Sequence, residues 1–299
     1  MTPPQYLLDL IEETFNTKTK DWRQPDCGLS AAHRYSVQLK GGDKVFVKAA
    51  TDAATEFWLR NEHLALSSIR GKFMPEVISW IDQPGIYPVL ITQDLSDAYW
   101  PASHAGVSWR TGDFGRLMEG LEELRDIEDV HLLPAMTNEE HAAWPAIAEN
   151  PETLLQLNFC TEKWFNHAIT HLIEAEKKYD RTGNSLVHGD VRSDNICFAG
   201  SQMILVDWSH TARGHAQYDV ANLLPTLHLE GGPEPFELMP DGAGAASFLC
   251  GGLIQRLNDD NEMPEWLKKV FRRLITIELE WAAKSLHIDK PDGAHWRSI

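Results

Sequence analysis

Apolar and polar residues alternate through much of the first ninety residues of this chain, and then give way to a spacing of three and four. Tyr35, Val37 and Leu39 share one face of residues 34–40 at period two. Gly41-Gly42-Asp43 follows as a turn and residues 44–49 form a second run of the same kind, which predicts a β-hairpin. Ahead of it, Leu7, Leu8, Ile11 and Phe15 mark a short amphipathic helix over residues 6–15. Behind it, residues 55–69 read as a helix with Gly71 just past its end, and residues 76–81 and 87–93 are β-prone. Beyond Asp94 the texture is helical. Phe114, Leu117, Leu121 and Leu124 recur at helical steps, as do Trp164, Phe165, Ala168, Leu172 and then Leu267, Val270, Phe271, Leu274 in a long helix over residues 264–285. Two brief β-like pieces, residues 185–187 and 203–206, interrupt the helices. The pattern predicts an α+β, two-lobed protein, with residues 1–94 as a strand-rich lobe, residues 95–299 as a larger helical lobe, and a cleft between them.

Composition narrows the functional classes. The 299 residues carry 44 acidic against 27 basic side chains, a formal charge of −17. Such a surface repels phosphate backbones and anionic lipid, so no nucleic-acid or membrane partner is expected, whereas a cationic small molecule is tolerated or attracted. The four cysteines, Cys27, Cys160, Cys197 and Cys250, are too scattered for a disulfide framework or a structural metal. The first residues lack the basic start of a signal peptide, and the longest mostly apolar stretch, residues 242–254, is too short to span a bilayer. A cytoplasmic location is the expectation. The oligomeric state is left open.

The chemistry concentrates in residues 186–207. His188 precedes Asp190 by two positions, Asn195 follows Asp190 by five, and the apolar run Ile204-Leu205-Val206 delivers Asp207. Phosphoryl transfer needs a carboxylate near the attacking hydroxyl and hard oxygen ligands for magnesium on the transferring phosphates. A His-x-Asp loop, an Asn five residues on and an Asp after the next β run supply those groups from one hairpin. A bland alternative, in which Asp190 and Asn195 cap a turn, is weakened by the arrival of Asp207 in register.

This arrangement resembles the protein-kinase-like fold. Gly189 between His188 and Asp190, and Trp208 after Asp207, resemble the aminoglycoside phosphotransferase and choline kinase branch, and Gly214 with Asp219-Val220-Ala221 fills that branch's next motif. The resemblance runs from about Gly28 to Leu224. It implies ATP and Mg²⁺ as cofactors, Asp190 as the residue that orients or deprotonates the acceptor hydroxyl, and Asn195 and Asp207 as metal ligands. It also implies His188 as support for the loop and Asp219 as a buried, structural helix-start residue. Arg192 either touches phosphate or is an ordinary ion-pairing residue.

Upstream, Lys48 resembles the strand lysine that contacts the α- and β-phosphates, with Glu62 as its partner on the following helix and Glu56 as the fallback. Gly28 and Ser30 precede the hairpin where a phosphate-covering loop belongs, although the Gly-x-Gly-x-x-Gly spacing is missing. Gln93, Asp94 and Leu95 resemble the hinge whose main chain meets adenine. His228 and Glu230, in an expected loop over residues 226–233, are possible acceptor contacts. Trp100, Trp109, Trp144 and Trp164 belong either to the core or to a stacking surface. The function this implies is an ATP-dependent phosphotransferase acting on a hydroxyl of a small, cationic acceptor such as an aminoglycoside or amino-sugar. The alternatives are a metabolic kinase for choline, homoserine or a sugar, and a nucleotide-binding pseudokinase, against which the intact Lys48, Asp190, Asn195 and Asp207 argue.

Overall fold

The computed structural model describes residues 2–25, 31–127, 129–138 and 142–299. The chain divides into two compact units, one of residues 1–134 with 184–213 and the other of residues 135–183 with 214–299. The segment from His188 to Asp207 therefore folds with the strand-rich unit.

That unit opens with helix α1 (Gln5–Thr14) and strand β1 (Thr19–Arg23). The expected hairpin follows as β2 (His33–Leu39) and β3 (Lys44–Ala49), with Val37 opposite Val45 and Tyr35 opposite Val47. Gly42, at φ 104°, takes the left-handed turn position that other residues resist. Helix α2 (Ala53–Ser68) starts on a capping box in which Asp52 accepts from the Thr55 amide and the Thr55 hydroxyl accepts from the Asp52 amide. Strands β4 (Val77–Ile81) and β5 (Val89–Gln93) complete an antiparallel sheet of order β1-β2-β3-β5-β4. Alternation of the strands buries Tyr35, Val37, Val45, Val47, Val89 and Ile91 with Leu7 and Ile11 of α1 in one apolar core cluster.

After a two-stranded ribbon, β6 (Ala102–Ser103) and β7 (Gly106–Val107), comes helix α3 (Asp113–Arg125). The chain returns to this unit as β8 (Ser185–Val187) and the hairpin β9 (Ile196–Ala199) with β10 (Gln202–Leu205). Leu95 packs beside Cys197 and Ile204 in a second apolar cluster under that hairpin.

The second unit is helical: α4 (Ala143–Glu149), α5 (Glu152–Leu155), α6 (Glu162–Lys178), α7 (Tyr218–Leu229), α8 (Pro235–Leu238), α9 (Ala243–Asp259) and α10 (Glu265–Ser285). Its buried tryptophans are core residues, each with its indole N–H spent on a main-chain oxygen: Trp144 on Ser247, Trp164 on Asp289 and Trp281 on Met239. Trp144 and Trp164 are therefore packing residues, not a stacking surface. Of the loop expected over residues 226–233, the first half is instead the last turn of α7, which continues through Pro225. Proline leaves the Ala221 carbonyl without its helical donor, and the side chains of Asn222 and Thr226 donate to the Tyr218 and Leu223 carbonyls of the same helix. Among the described residues no helix is long and apolar enough to cross a membrane.

The buried Glu176 of α6 holds the start of α4, accepting from the Ala143 amide at 2.9 Å and the Trp144 amide at 3.0 Å. Helix α4 has no side-chain cap of its own, so this distant carboxylate replaces one. Glu176→Ala is expected to destabilise the protein by about 2–3 kcal/mol, read as a lower urea midpoint, because two donors lose their acceptor in a dry site. Glu176→Gln, which keeps one oxygen, is expected to lose about half as much.

Candidate active site

Strand β8 delivers His188 to the interior, where the ring is fully buried. Its Nδ1 accepts from the Asp190 amide at 3.3 Å, and its Nε2 lies 3.1 Å from the Val206 carbonyl. A carbonyl can only accept, so Nε2 carries the proton and the tautomer is set. Burial lowers the imidazole pKa to about 4, so the ring is neutral at pH 7. The ring also packs edge-on against Trp208, with centroids 4.6 Å apart. One side chain thus joins the turn before Asp190 to the strand end before Asp207.

Between them, Gly189 adopts φ 83°, and a β-carbon there would stand 2.5 Å from the His210 carbonyl oxygen. Only glycine satisfies both the dihedral and the space. Asp190 comes next. Asn195, closing the 3₁₀ turn Ser193–Asn195, donates both amide hydrogens to Asp190, to its carbonyl and to Oδ2, each at 2.9 Å. Asn195 Oδ1 is therefore the atom this residue can offer a cation. The β9–β10 register pairs Ile196 with Leu205, and the Val206 amide donates to the Asn195 carbonyl at 2.9 Å, which sets Asp207 beside Asn195.

Asp207 occupies the left-handed region at φ 62° and ψ 62°, a strained position for a non-glycine residue. Its Oδ1 accepts from the Ser209 hydroxyl at 2.8 Å and from Lys48 Nζ at 2.9 Å. Lys48 Nζ also lies 2.6 Å from Glu62 Oε2, and the Trp208 amide donates to the same Glu62 carboxylate. Lys48 and Glu62 are 8% and 6% exposed, so this is a buried ion cluster. Burial disfavours the ammonium, but two carboxylates within hydrogen-bond reach overcome it and Lys48 stays protonated. Burial also opposes ionisation of Asp207, yet Lys48 and Ser209 hold its carboxyl well below the usual range. Glu62 is kept above its ordinary value by burial, against the pull of Lys48.

The Asp190 carboxyl is likewise raised by burial, while Arg192 and His210 pull it down and Asp207 and Asp194 push it up. Arg192 lies 3.1 Å from Asp190 and 3.4 Å from Asp194. It is an ion-pairing residue in the loop, half-exposed.

Lys48 pairs with Glu62, and the fallback Glu56 pairs with Arg60. Gln93 ends β5, with its amide bonded to the Glu76 carbonyl. The Leu95 carbonyl accepts from the Trp100 indole at 3.0 Å, and Asp94 binds the Ser96 amide. Trp100 is thus engaged with the Leu95 main chain, and the Trp109 ring lies 5.1 Å from that of Phe114. Gly28 and Ser30 lie outside the described residues. In the second unit, Asp219 is buried in the first turn of α7. His228 is in the last turn of that helix, 3.1 Å from the Gly232 carbonyl and edge-on to Trp296, and Glu230 caps its end. They are helix-end residues, a correction to the loop expected for them. The sequence reading missed Ser209 and His210; a hydroxyl two positions after Asp207 is the signal that would have found the first.

Residues 86–249 match the model of the phosphotransferase enzyme family, APH. No curated protein matches the sequence significantly. Among solved structures, the chain is similar to a choline/ethanolamine kinase family protein from Mesorhizobium loti, at 15% identity over 90% of this chain and 92% of that one, with a TM-score of 0.58. It is similar to macrolide 2′-phosphotransferase MphH from Brachybacterium faecium, at 13% identity over 91% and 98%, with a TM-score of 0.57. It is also similar to a thermostable aminoglycoside phosphotransferase APH(4)-Ia mutant solved with AMP-PNP and hygromycin B, at 13% identity over 95% and 96%, with a TM-score of 0.51. These likenesses give the fold, which is protein-kinase-like. With more than half of its length covered by the family model, the chain belongs to the phosphotransferase enzyme family, as a phosphotransferase acting on a small-molecule hydroxyl.

Proposed function

We propose that this protein moves the γ-phosphoryl group of ATP onto a hydroxyl of a small, cationic acceptor of the aminoglycoside or amino-sugar kind. The observation that carries the reading is the meeting of Lys48, Glu62 and Asp207 in one buried cluster beside the Asp190–Asn195 pair. On this reading residues 1–94 bind ATP, and residues 95–299 carry the catalytic loop, the metal site and the acceptor site.

The donor set suits magnesium. Among the described residues no three His, Cys, Asp or Glu side chains gather to chelate a metal alone. Asn195 Oδ1 and the Asp207 carboxylate are hard oxygen donors of the kind Mg²⁺ takes in pairs, with phosphate oxygens completing its shell. When bound, Mg²⁺ supplies positive charge against the triphosphate. Lys48, kept protonated, offers its ammonium to the α- and β-phosphates. Asp190 accepts the proton of the acceptor hydroxyl, and burial brings its basicity closer to the working pH than an exposed carboxylate would have. His188, neutral and tied to the Asp190 amide, holds the turn. The excess of carboxylates across the chain favours a protonated amine on the acceptor.

Two variants test the roles. Asp190→Ala is expected to lower turnover by about 10²–10⁴-fold while Mg·ATP binding by calorimetry persists; near-full activity would overturn the assignment. Asp207→Asn is expected to weaken Mg²⁺-dependent ATP binding about tenfold or more, about 1.4 kcal/mol, and an unchanged affinity would remove it from the metal site. The acceptor is found by a coupled ADP-release screen over aminoglycosides, amino-sugars, macrolides, choline and homoserine. Stimulation only by choline or homoserine would select the metabolic reading, and ATP binding without release would select the pseudokinase.

A further inference from the structure

Helix α2 presents two residues to the segment that follows β10. Glu62 faces Lys48 and receives the Trp208 amide. Trp58, four residues earlier and so on the same face, stacks at a tilt on His210, with ring centroids 4.5 Å apart. The strip from Asp207 to His210 thus runs along α2, with Trp208 meeting Glu62 and His210 meeting Trp58. The 3₁₀ turn Trp208–His210 is stiffened by the Thr211 hydroxyl, which donates to the Trp208 carbonyl at 2.7 Å.

The far side of His210 carries the consequence. Its carbonyl oxygen stands where a β-carbon of Gly189 would be, at 2.5 Å, so the main chain before Asp190 lies directly on the main chain of His210. A displacement of His210 must move the turn or open a gap beside it. Both rings are otherwise poorly placed to serve the core: Trp58 is 40% exposed, its neighbour Phe57 is 57% exposed, and His210 is exposed. The ring contact is thus a surface contact between two elements of the unit, helix α2 and the turn after Asp207.

We propose that Trp58 and His210 are positioning residues, whose ring contact ties helix α2 to the turn carrying Asp190, so that the helix aligning Lys48 through Glu62 also aligns the catalytic carboxylate. This inference rests on the proposed phosphotransfer reading for its kinetic consequence, but its physical content, the hold on the turn, does not. Because neither ring fills the core, removing one leaves core packing intact and frees the turn.

The test uses the full chain with Trp58→Ala, His210→Ala, the double variant and the conservative Trp58→Phe. Amide hydrogen exchange is followed at Asp190 and Asn195, whose amides donate to His188 Nδ1 and the Arg192 carbonyl. Each alanine variant is expected to raise exchange at these two amides about tenfold, with the double variant no worse than either single one and Trp58→Phe restoring most of the protection. Turnover with the acceptor from the screen falls in parallel, also about tenfold, while the Mg·ATP dissociation constant and the urea midpoint stay near those of the parent chain. Unchanged exchange at both amides, or strictly additive effects in the double variant, overturns the proposal. So does a rise spread evenly over the sheet, which marks a structural role only; His210→Ala decides the matter should Trp58→Ala fail to fold. A parent chain inactive toward every acceptor would sink the phosphotransfer reading while leaving the exchange result to judge the pair.

Discussion

A lysine ammonium with almost no access to water is the constraint around which the strand-rich unit is organised. Burying Lys48 alone would cost several kcal/mol, and the group would shed its proton. It remains a cation because Glu62 from α2 and Asp207 from the end of β10 reach it together, at 2.6 and 2.9 Å. Those three residues are distant in sequence, so the cluster forms only when sheet, helix and hairpin are all in place. The electrostatics therefore read out the fold. They also leave a fixed positive charge beside a fixed carboxylate, the combination that a metal-bound triphosphate requires.

The carboxylate end of that cluster is maintained against local preference. Asp207 lies in the left-handed region, and a residue held there persists only when its surroundings over-determine it. They do: the Val206 amide is bonded to Asn195, the Val206 carbonyl to His188 Nε2, and the Asp207 carboxylate to Lys48 and Ser209. His188 matters in this network because it is neutral. Burial disfavours an imidazolium there despite the nearby Asp207 carboxylate, and the neutral ring accepts on one side and donates on the other. Gly189 permits the close approach of the two main chains that makes the network compact.

How much of this was legible in the residues follows from what each feature depends on. The β2–β3 hairpin, Lys48 at the end of its second strand and Glu62 on the next helix were readable because alternation and helical spacing are local signals. The Asp190–Asn195–Asp207 spacing was readable because one hairpin of fixed register sets it. Strand β1 was not, since Thr-Lys-Asp-Trp-Arg is a short, charged edge strand with an irregular register near Asp21, and pairing with β2 alone defines it. The last turn of α7 read as a loop, because it follows Pro225, which ordinarily ends a helix, whereas here the helix continues to Leu229. The run over residues 242–254 read only as small and apolar. It is most of α9, whose small side chains are there for close packing: a β-carbon on Gly251 would stand 2.7 Å from that of Ala143. Trp58 and His210 meet across some 150 residues, and no spacing rule links them.

The measurement that bears most directly on the central cluster is the unfolding free energy of Lys48→Met as a function of pH, beside the parent chain. Removing the ammonium leaves the buried Glu62 and the partly exposed Asp207 carboxylates without a counter-charge, so the variant is expected to lose about 3–5 kcal/mol at pH 7. Their folded-state pKa values then lie above the unfolded ones, so protonation favours the folded variant and the deficit shrinks as pH falls toward 5. A variant with the parent's urea midpoint at pH 7, and a parallel pH profile, would contradict the account.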